Sequence, residues 1–437
     1  MSETEIQLIK ELKFCVFDLE TTGGNHKSDK IIEIGMVQVD NLEITKTKHF
    51  LINPEIKIPE FIQKLTSITQ DDVKDAPVIE DVMDELIEFM GDRILVAHNI
   101  SFDVPFFNSV LRRLGRPEME NKGLCTNLMT RYLIPNLLNS NLNYMSKIFN
   151  IEHNKAHRAL DDALASARLM LKYLDIYIDK GIKKINHLYY PRNKYELDRL
   201  QIKRGDDLIE ATKKIKEVKT PFLATIKGEN GVIRFSFPAQ ANEDEINYVL
   251  DAVDSSQWES VTIRLFGSFI ENFVQFNNLY NKLEIKTKKE VLKKLKEFHA
   301  SKLHDKAISE ETKAARKIGD FVLTKHLVPE QYVIFPMKSL HPKSGLIFRY
   351  PGHKKKLLQY VQSRSSKNAS SKIKKIHFSP QIKEFINLYL RHEFEHNEEV
   401  LIFKKDLALN NSEHFYSALD EFSTKNDYHY NYPKDYI

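Results

Sequence analysis

Cysteine is almost absent from this 437-residue chain: only Cys15 and Cys125 occur, and neither has another Cys or a His at metal-ligand spacing. A zinc site or a disulfide framework is therefore not expected; Cys15, inside an apolar strand-like run, is expected simply to pack. Long apolar runs are missing as well. No stretch approaches the roughly 18 residues of a membrane span, and the opening MSETEIQLIKELK is acidic where a signal peptide is basic and then apolar. The expected setting is the cytoplasm, with no membrane partner. Internal repeats and long low-complexity tracts are also lacking.

What is present describes a globular protein. At 42% hydrophobic and 29% charged residues the chain is too apolar for disorder and too polar for the bilayer, and its length predicts two or three domains. The charge is divided unevenly. Residues 1–180 hold 21 Lys and Arg against 28 Asp and Glu, whereas the remainder holds 44 against 33. The acidic part suits cations and the basic part suits phosphates.

Periodicity organises the chain. Phe14–Leu19, Ile31–Asp40 and Ile44–Ile52 read as adjacent strands, followed by a helix over Val78–Met90, a short strand Ile94–Ala97, and amphipathic helices over Phe102–Leu114 and Ala159–Leu174. This order predicts an α/β domain with a mixed sheet. Residues 179–217 read as a helical connector with helical spacing near Leu197, Leu200 and Ile202. Residues 218–285 read as a small α+β unit opening with a hairpin around Gly228–Gly231. Residues 286–437 form a basic helical region in which Tyr332–Phe335 and Leu346–Tyr350 are expected to pair. With the helical stretch Ile308–Val328 before it, that hairpin has the order of a winged helix.

The chemistry concentrates in the first third. In the strand Phe14–Glu20, side chains alternate, so Asp18 and Glu20 leave the same face with Cα atoms roughly 6.6 Å apart. Two acids ending an apolar strand resist burial unless a divalent cation lies between them. The turn Thr21-Thr22-Gly23-Gly24 then offers backbone N–H groups. Asp103 stands in the first turn of a helix after His98-Asn99, where it either caps the helix or serves a site. Asp161 and Asp162 open another helix. Asp161 shares its stripe with Arg168, Lys172 and Asp175, whereas Asp162 shares one with Ser166, Leu169 and Tyr173 and faces the protein.

FDLETTG, HNISFD and HRALDDA, in this order and spacing, resemble the three motifs of the DEDDh exonucleases, whose best-known member is the proofreading epsilon subunit of bacterial DNA polymerase III. The resemblance covers roughly residues 12–175, in a domain read as residues 12–178, and implies a ribonuclease H-like fold. It implies that Asp18, Glu20, Asp103 and Asp162 hold two Mg²⁺ or Mn²⁺ ions, Asp18 bridging them, and that His157 is the general base. It places nucleic acid against Thr21, Thr22, Gly23, His98, Asn99 and Phe102, with His98 either structural or lining the site. His153 is expected to face solvent. One departure stands out: Ser67-Ile68-Thr69 occupies the place of the His-Gly-Ile that touches the terminal nucleotide in many relatives.

The resulting expectation is 3′–5′ removal of nucleotides from single-stranded or frayed DNA ends, in proofreading or repair, with a DNA polymerase as an expected partner. Two readings stand beside it: an exoribonuclease trimming RNA, and a non-catalytic adaptor for nucleic acid or a polymerase. The lysines of 286–306 and the cluster Lys354-Lys355-Lys356, Arg364, Lys367, Lys372, Lys374 and Lys375 suit a phosphate-tracking surface.

Overall fold

Runs rich in β-branched and aromatic residues form β1 (Lys13–Thr21), β2 (Ile31–Asp40) and β3 (Glu43–Leu51), which pair antiparallel in sequence. Asn41 and Leu42 both have positive φ, the geometry of a two-residue hairpin turn. A computed structural model describes residues 8–182, 188, 196–303, 319–338, 340–365, 380–396 and 399–424. The chain divides into units at residues 1–196 and 197–437.

In the first unit, α1 (Glu60–Thr66), α2 (Gln70–Val73) and α3 (Ile79–Met90) lead to β4 (Ile94–Ala97), which lies parallel to β1. Then α4 (Ile100–Arg113) leads to β5 (Gly123–Cys125), parallel to β4. The sheet order is β3-β2-β1-β4-β5, the mixed sheet expected of a ribonuclease H-like fold. After α5 (Thr126–Leu133) and α6 (Leu142–Ile148), α7 (Ala159–Asp179) crosses β1 and β2.

Alternation along β1 decides what each face does. Cys15, Phe17 and Leu19 enter a core with Val82, Met83 and Leu86 of α3 and Phe106 and Phe107 of α4. Burial pushes the Cys15 thiol up to about 12, as befits a packed side chain. The other face, with Asp18 and Glu20 at its end, turns toward α7. Because β1 and β4 are parallel, their carboxyl ends share one edge, where open α/β sheets place their ligands.

The second unit differs from expectation in two places. The stretch read as a helical connector contributes β6 (Arg199–Lys203), an edge strand antiparallel to β9 (Ser260–Leu265). Leu200 and Ile202 are two apart and fit a strand as well as a helix, and sheet pairing decides between them. After α8 (Leu208–Lys216), β7 (Phe222–Lys227) and β8 (Ile233–Ala239) form the expected hairpin, giving the order β6-β9-β7-β8. Helices α9 (Glu243–Ser255), α10 (Phe269–Tyr280), α11 (Ile285–Phe298) and α12 (Ala300–Leu303) follow.

The winged-helix expectation also yields. The segment 308–318 lies outside the described residues, and Phe321–Lys325, read as the end of a helix, is β10. Its run Phe-Val-Leu-Thr suits an interior strand. It sits between β11 (Gln331–Pro336) and β13 (Val400–Phe403), with β12 (Leu346–Arg349) on the far side of β11, an antiparallel sheet of four. The expected pairing of β11 with β12 is present. Helices α13 (Lys354–Ser365), α14 (Pro380–His396), α15 (Lys405–Asn410) and α16 (Ser412–Thr424) complete the unit. Lys354-Lys355-Lys356 and Arg364 lie on α13, and Lys367, Lys372, Lys374 and Lys375 lie outside the described residues. Among the described residues no helix is long and apolar enough to cross a membrane.

Candidate active site

Three chain segments bring the acids together. Asp18 and Glu20 end β1, Asp103 stands in the first turn of α4, and Asp162 in the first turn of α7. Glu20, Asp162 and His157 each place one ligand atom within 4.8 Å of the others. Burial, and then the negative charges of Asp103, Asp162 and Glu20, hold Asp18 well above the ordinary carboxylate range. Glu20 is pushed up to about 8 by burial first, then by Asp162, Glu33 and Asp103. Asp103 rises to about 7 through burial, although its carboxylate accepts the Leu19 N–H. Asp162 is buried where Asp161 is half-exposed, in accord with the helical faces.

These shifts make a prediction for the metal-free protein. A carboxyl whose pKa is higher folded than unfolded binds more protons in the folded state, so its contribution is intact below the unfolded value and is lost as pH rises toward the folded one. With ordinary values of 3.8 and 4.5 and folded values of about 7 for Asp103 and about 8 for Glu20, the thermal midpoint in EDTA should fall between pH 5 and 8. Asp18→Asn should flatten that slope. A midpoint that rises over the same window would mean that these carboxyls are not raised in the folded protein.

The amino end of α7, which carries Asp162, is fixed by a residue that pattern reading does not single out. Glu33 of β2, 1% exposed, accepts from Arg158 Nη2 at 2.7 Å and from the Ala159 N–H at 2.8 Å, and pairs with His49 Nε2 at 2.7 Å. Burial alone raises Glu33, but these donors outweigh it and hold it at about 2. Two residues on, a Cβ at Gly35 would lie 2.3 Å from the Ala159 carbonyl carbon, so only glycine lets α7 approach this closely. A lone acid and a glycine inside Ile31–Val39 are the signals the sequence offers for this contact.

Other expected residues divide. His157 is exposed, has φ +64°, and donates its backbone N–H to Asp162 Oδ2 at 3.2 Å. His153 does not face solvent: its side chain is 4% exposed and its Nε2 lies 2.5 Å from Asp162 Oδ1. The loop before α7 folds back on the helix to put it there. The His98 ring is held between the Thr126 hydroxyl (2.9 Å) and the Ser140 carbonyl (2.8 Å). Thr21 donates its hydroxyl to the Gly23 carbonyl and Thr22 accepts the Lys30 N–H, so both side chains serve the turn. Asn99 is exposed, Gly23 partly so, and Phe102 packs on Phe106. In Ser67-Ile68-Thr69, Ser67 ends α1 at φ +56°, Ile68 is buried and Thr69 caps α2.

Residues 15–170 match the family model described as Exonuclease (RNase_T). The PolC-type DNA polymerase III of Caldanaerobacter subterraneus subsp. tengcongensis is 41% identical over 186 residues, 43% of this chain and 13% of that protein, so the chain spans only a small part of this relative. Among solved structures, exonuclease X in complex with 5′-overhanging duplex DNA is 28% identical, covering 37% of this chain and 91% of that one at a TM-score of 0.31. The nuclease domain of 3′hExo, a DEDDh family member bound to rAMP, is 23% identical, covering 40% and 96% at 0.34. Residues 15–170 are thus an exonuclease domain of the RNase T family, related to the matching part of PolC-type DNA polymerase III.

Proposed function

We propose that the protein hydrolyses nucleotides from the 3′ ends of DNA with two divalent cations, Mg²⁺ or Mn²⁺. The observation that carries this reading is the grouping of Glu20, Asp162 and His157 within 4.8 Å, with Asp18 and Glu20 raised by burial and by the charges of Asp103 and Asp162 beside them and Asp103 raised by burial. Such a set of hard oxygen donors fits Mg²⁺ or Mn²⁺. Asp18, Glu20 and Asp162 are assigned to one ion and Asp18 with Asp103 to the other. When bound, the cations acidify the attacking water and offset charge on the departing oxygen.

The chain's own groups do the rest. The exposed ring of His157 takes the proton of the attacking water, an O–P bond forms, the P–O3′ bond breaks, and the oxygen that leaves takes a proton from solvent water and ends as a 3′-hydroxyl. The His157 N–H on Asp162 keeps base and carboxylate together. Gly23 and Asn99 flank the site and are assigned to the terminal nucleotide. Likeness to a DNA polymerase favours DNA, and proofreading or repair beside a polymerase, over RNA.

The test is digestion of end-labelled single-stranded DNA, duplex DNA and RNA with Mg²⁺. Mononucleotides should be released from DNA, a 3′-phosphate should block the reaction, and a 5′ block should not. Cleavage of a circular single strand would overturn the reading, and faster digestion of RNA would replace DNA with RNA as the substrate. We assign the lysines of α11 to the phosphates of longer strands. Replacing Lys286, Lys289 and Lys293 with Gln should weaken binding of long single strands more than short ones. It should also flatten the slope of log affinity against log salt by about 0.7 for each phosphate no longer neutralised. An unaltered slope removes this assignment.

A further inference from the structure

Each oxygen of Asp162 has its own donor. Oδ2 accepts the His157 backbone N–H at 3.2 Å, and Oδ1 meets Nε2 of His153 at 2.5 Å. A carboxylate oxygen is an acceptor, so Nε2 is assigned as the donor of this contact. Nδ1 of His153 is buried and has no hydrogen-bond partner among the described residues. A bare lone pair there costs less than an orphaned N–H, which makes the Nε2–H tautomer the fitting one. The ring therefore points its one donor at Asp162.

His157 also brings a ring nitrogen within 4.8 Å of the Asp162 carboxylate, but that ring is exposed and is assigned to the attacking water. His98, the neighbouring histidine, uses both nitrogens on Thr126 and Ser140. The torsion that rotates an aspartate carboxylate is broad and roughly twofold, so hydrogen bonds alone select its orientation. An apolar residue at 153 would fill the space and leave Oδ1 without its donor.

We propose that His153 is a positioning residue that locks the Asp162 carboxylate in the rotation presenting its remaining lone pairs toward Glu20 and His157, and thereby tightens the acidic cluster's hold on a divalent cation. The inference rests on the metal-dependent reading above. Outer partners of this kind, when removed, typically cost about 10–100-fold in metal affinity or activity.

The experiment measures Mn²⁺ binding to the 437-residue chain by electron paramagnetic resonance of the free ion, alongside hydrolysis as a function of Mn²⁺ concentration. His153→Ala and His153→Phe, the second keeping the packing, should each raise the Mn²⁺ dissociation constant about 10–100-fold and raise the half-maximal Mn²⁺ concentration in step. His153→Gln, whose amide can donate to the same oxygen, should recover most of the affinity. Native Mn²⁺ binding by the Ala and Phe variants overturns the proposal. So does tighter binding, which would mean that the ring competes with the ion, and so does a Gln variant as weak as Ala. Asp18→Ala separates the two failures: if it too binds Mn²⁺ and hydrolyses like the native protein, the metal-site reading itself has failed.

Discussion

Asp18→Ala and Asp162→Ala should each lower hydrolysis of a labelled single strand by about 10³-fold or more at saturating Mg²⁺, because each removes a carboxylate assigned to the proposed cations, which would supply several kcal/mol of transition-state stabilisation. Asp18→Ala also deletes a carboxylate held well above its ordinary range by burial and by its neighbours. Its metal-free thermal midpoint at pH 8 should therefore rise rather than fall, which distinguishes lost chemistry from lost fold. Asp161→Ala, one residue from Asp162 but half-exposed on the other face, should stay within about twofold of the native rate, in line with a surface substitution. Either ligand variant retaining most of the native rate removes the site assignment. An Asp161 variant as damaged as Asp162→Ala removes the argument from helical faces.

Much of the first unit is legible in the sequence because its elements are long and periodic. The runs for β1 and β2, the stripe of α3 and the stripe of α7 each fix both element type and buried face, and α7's period separates Asp162 from Asp161. His153 is not legible for the complementary reason. It lies in an irregular loop between α6 and α7, where no period assigns a direction, and only folding brings its ring to Asp162. Glu33 hides behind sequence distance: its partners His49 and Arg158 are 16 and 125 residues away. Thr21 and Thr22 sit where a substrate is expected to be held, yet local hydrogen bonding to Gly23 and Lys30 uses them first. In the second unit β6 and β10 are five-residue strands, too short for period two to be told from a helical turn.

Glu33 and Gly35 should together prove as important to turnover as residues far closer to the phosphate. Glu33→Ala strips the start of α7 of its contacts with the sheet through Arg158 and the Ala159 N–H. Arg158 and His49 are each about one-third exposed, at 29% and 34%, and can rehydrate. The stability cost should then be nearer the roughly 1.5–3 kcal/mol of a charged hydrogen bond than the larger penalty of a stranded buried charge. Loss of the negative charge of Glu33 partly offsets it, since that charge also raises Asp18 and Glu20. Gly35→Ala acts sterically: backbone atoms of Ala159 and Leu160 lie 2.3 Å from the new Cβ, so α7 must move by about an ångström or more to reach ordinary contact. Because Asp162 and His157 ride on that helix end, a displacement of this size should cost about 10²-fold in turnover. Amide exchange between Ala159 and Asp162 should quicken in both variants while the α3 amides stay protected. Native turnover in Gly35→Ala would show that contact with β2 does not locate α7 and that the loop before the helix does.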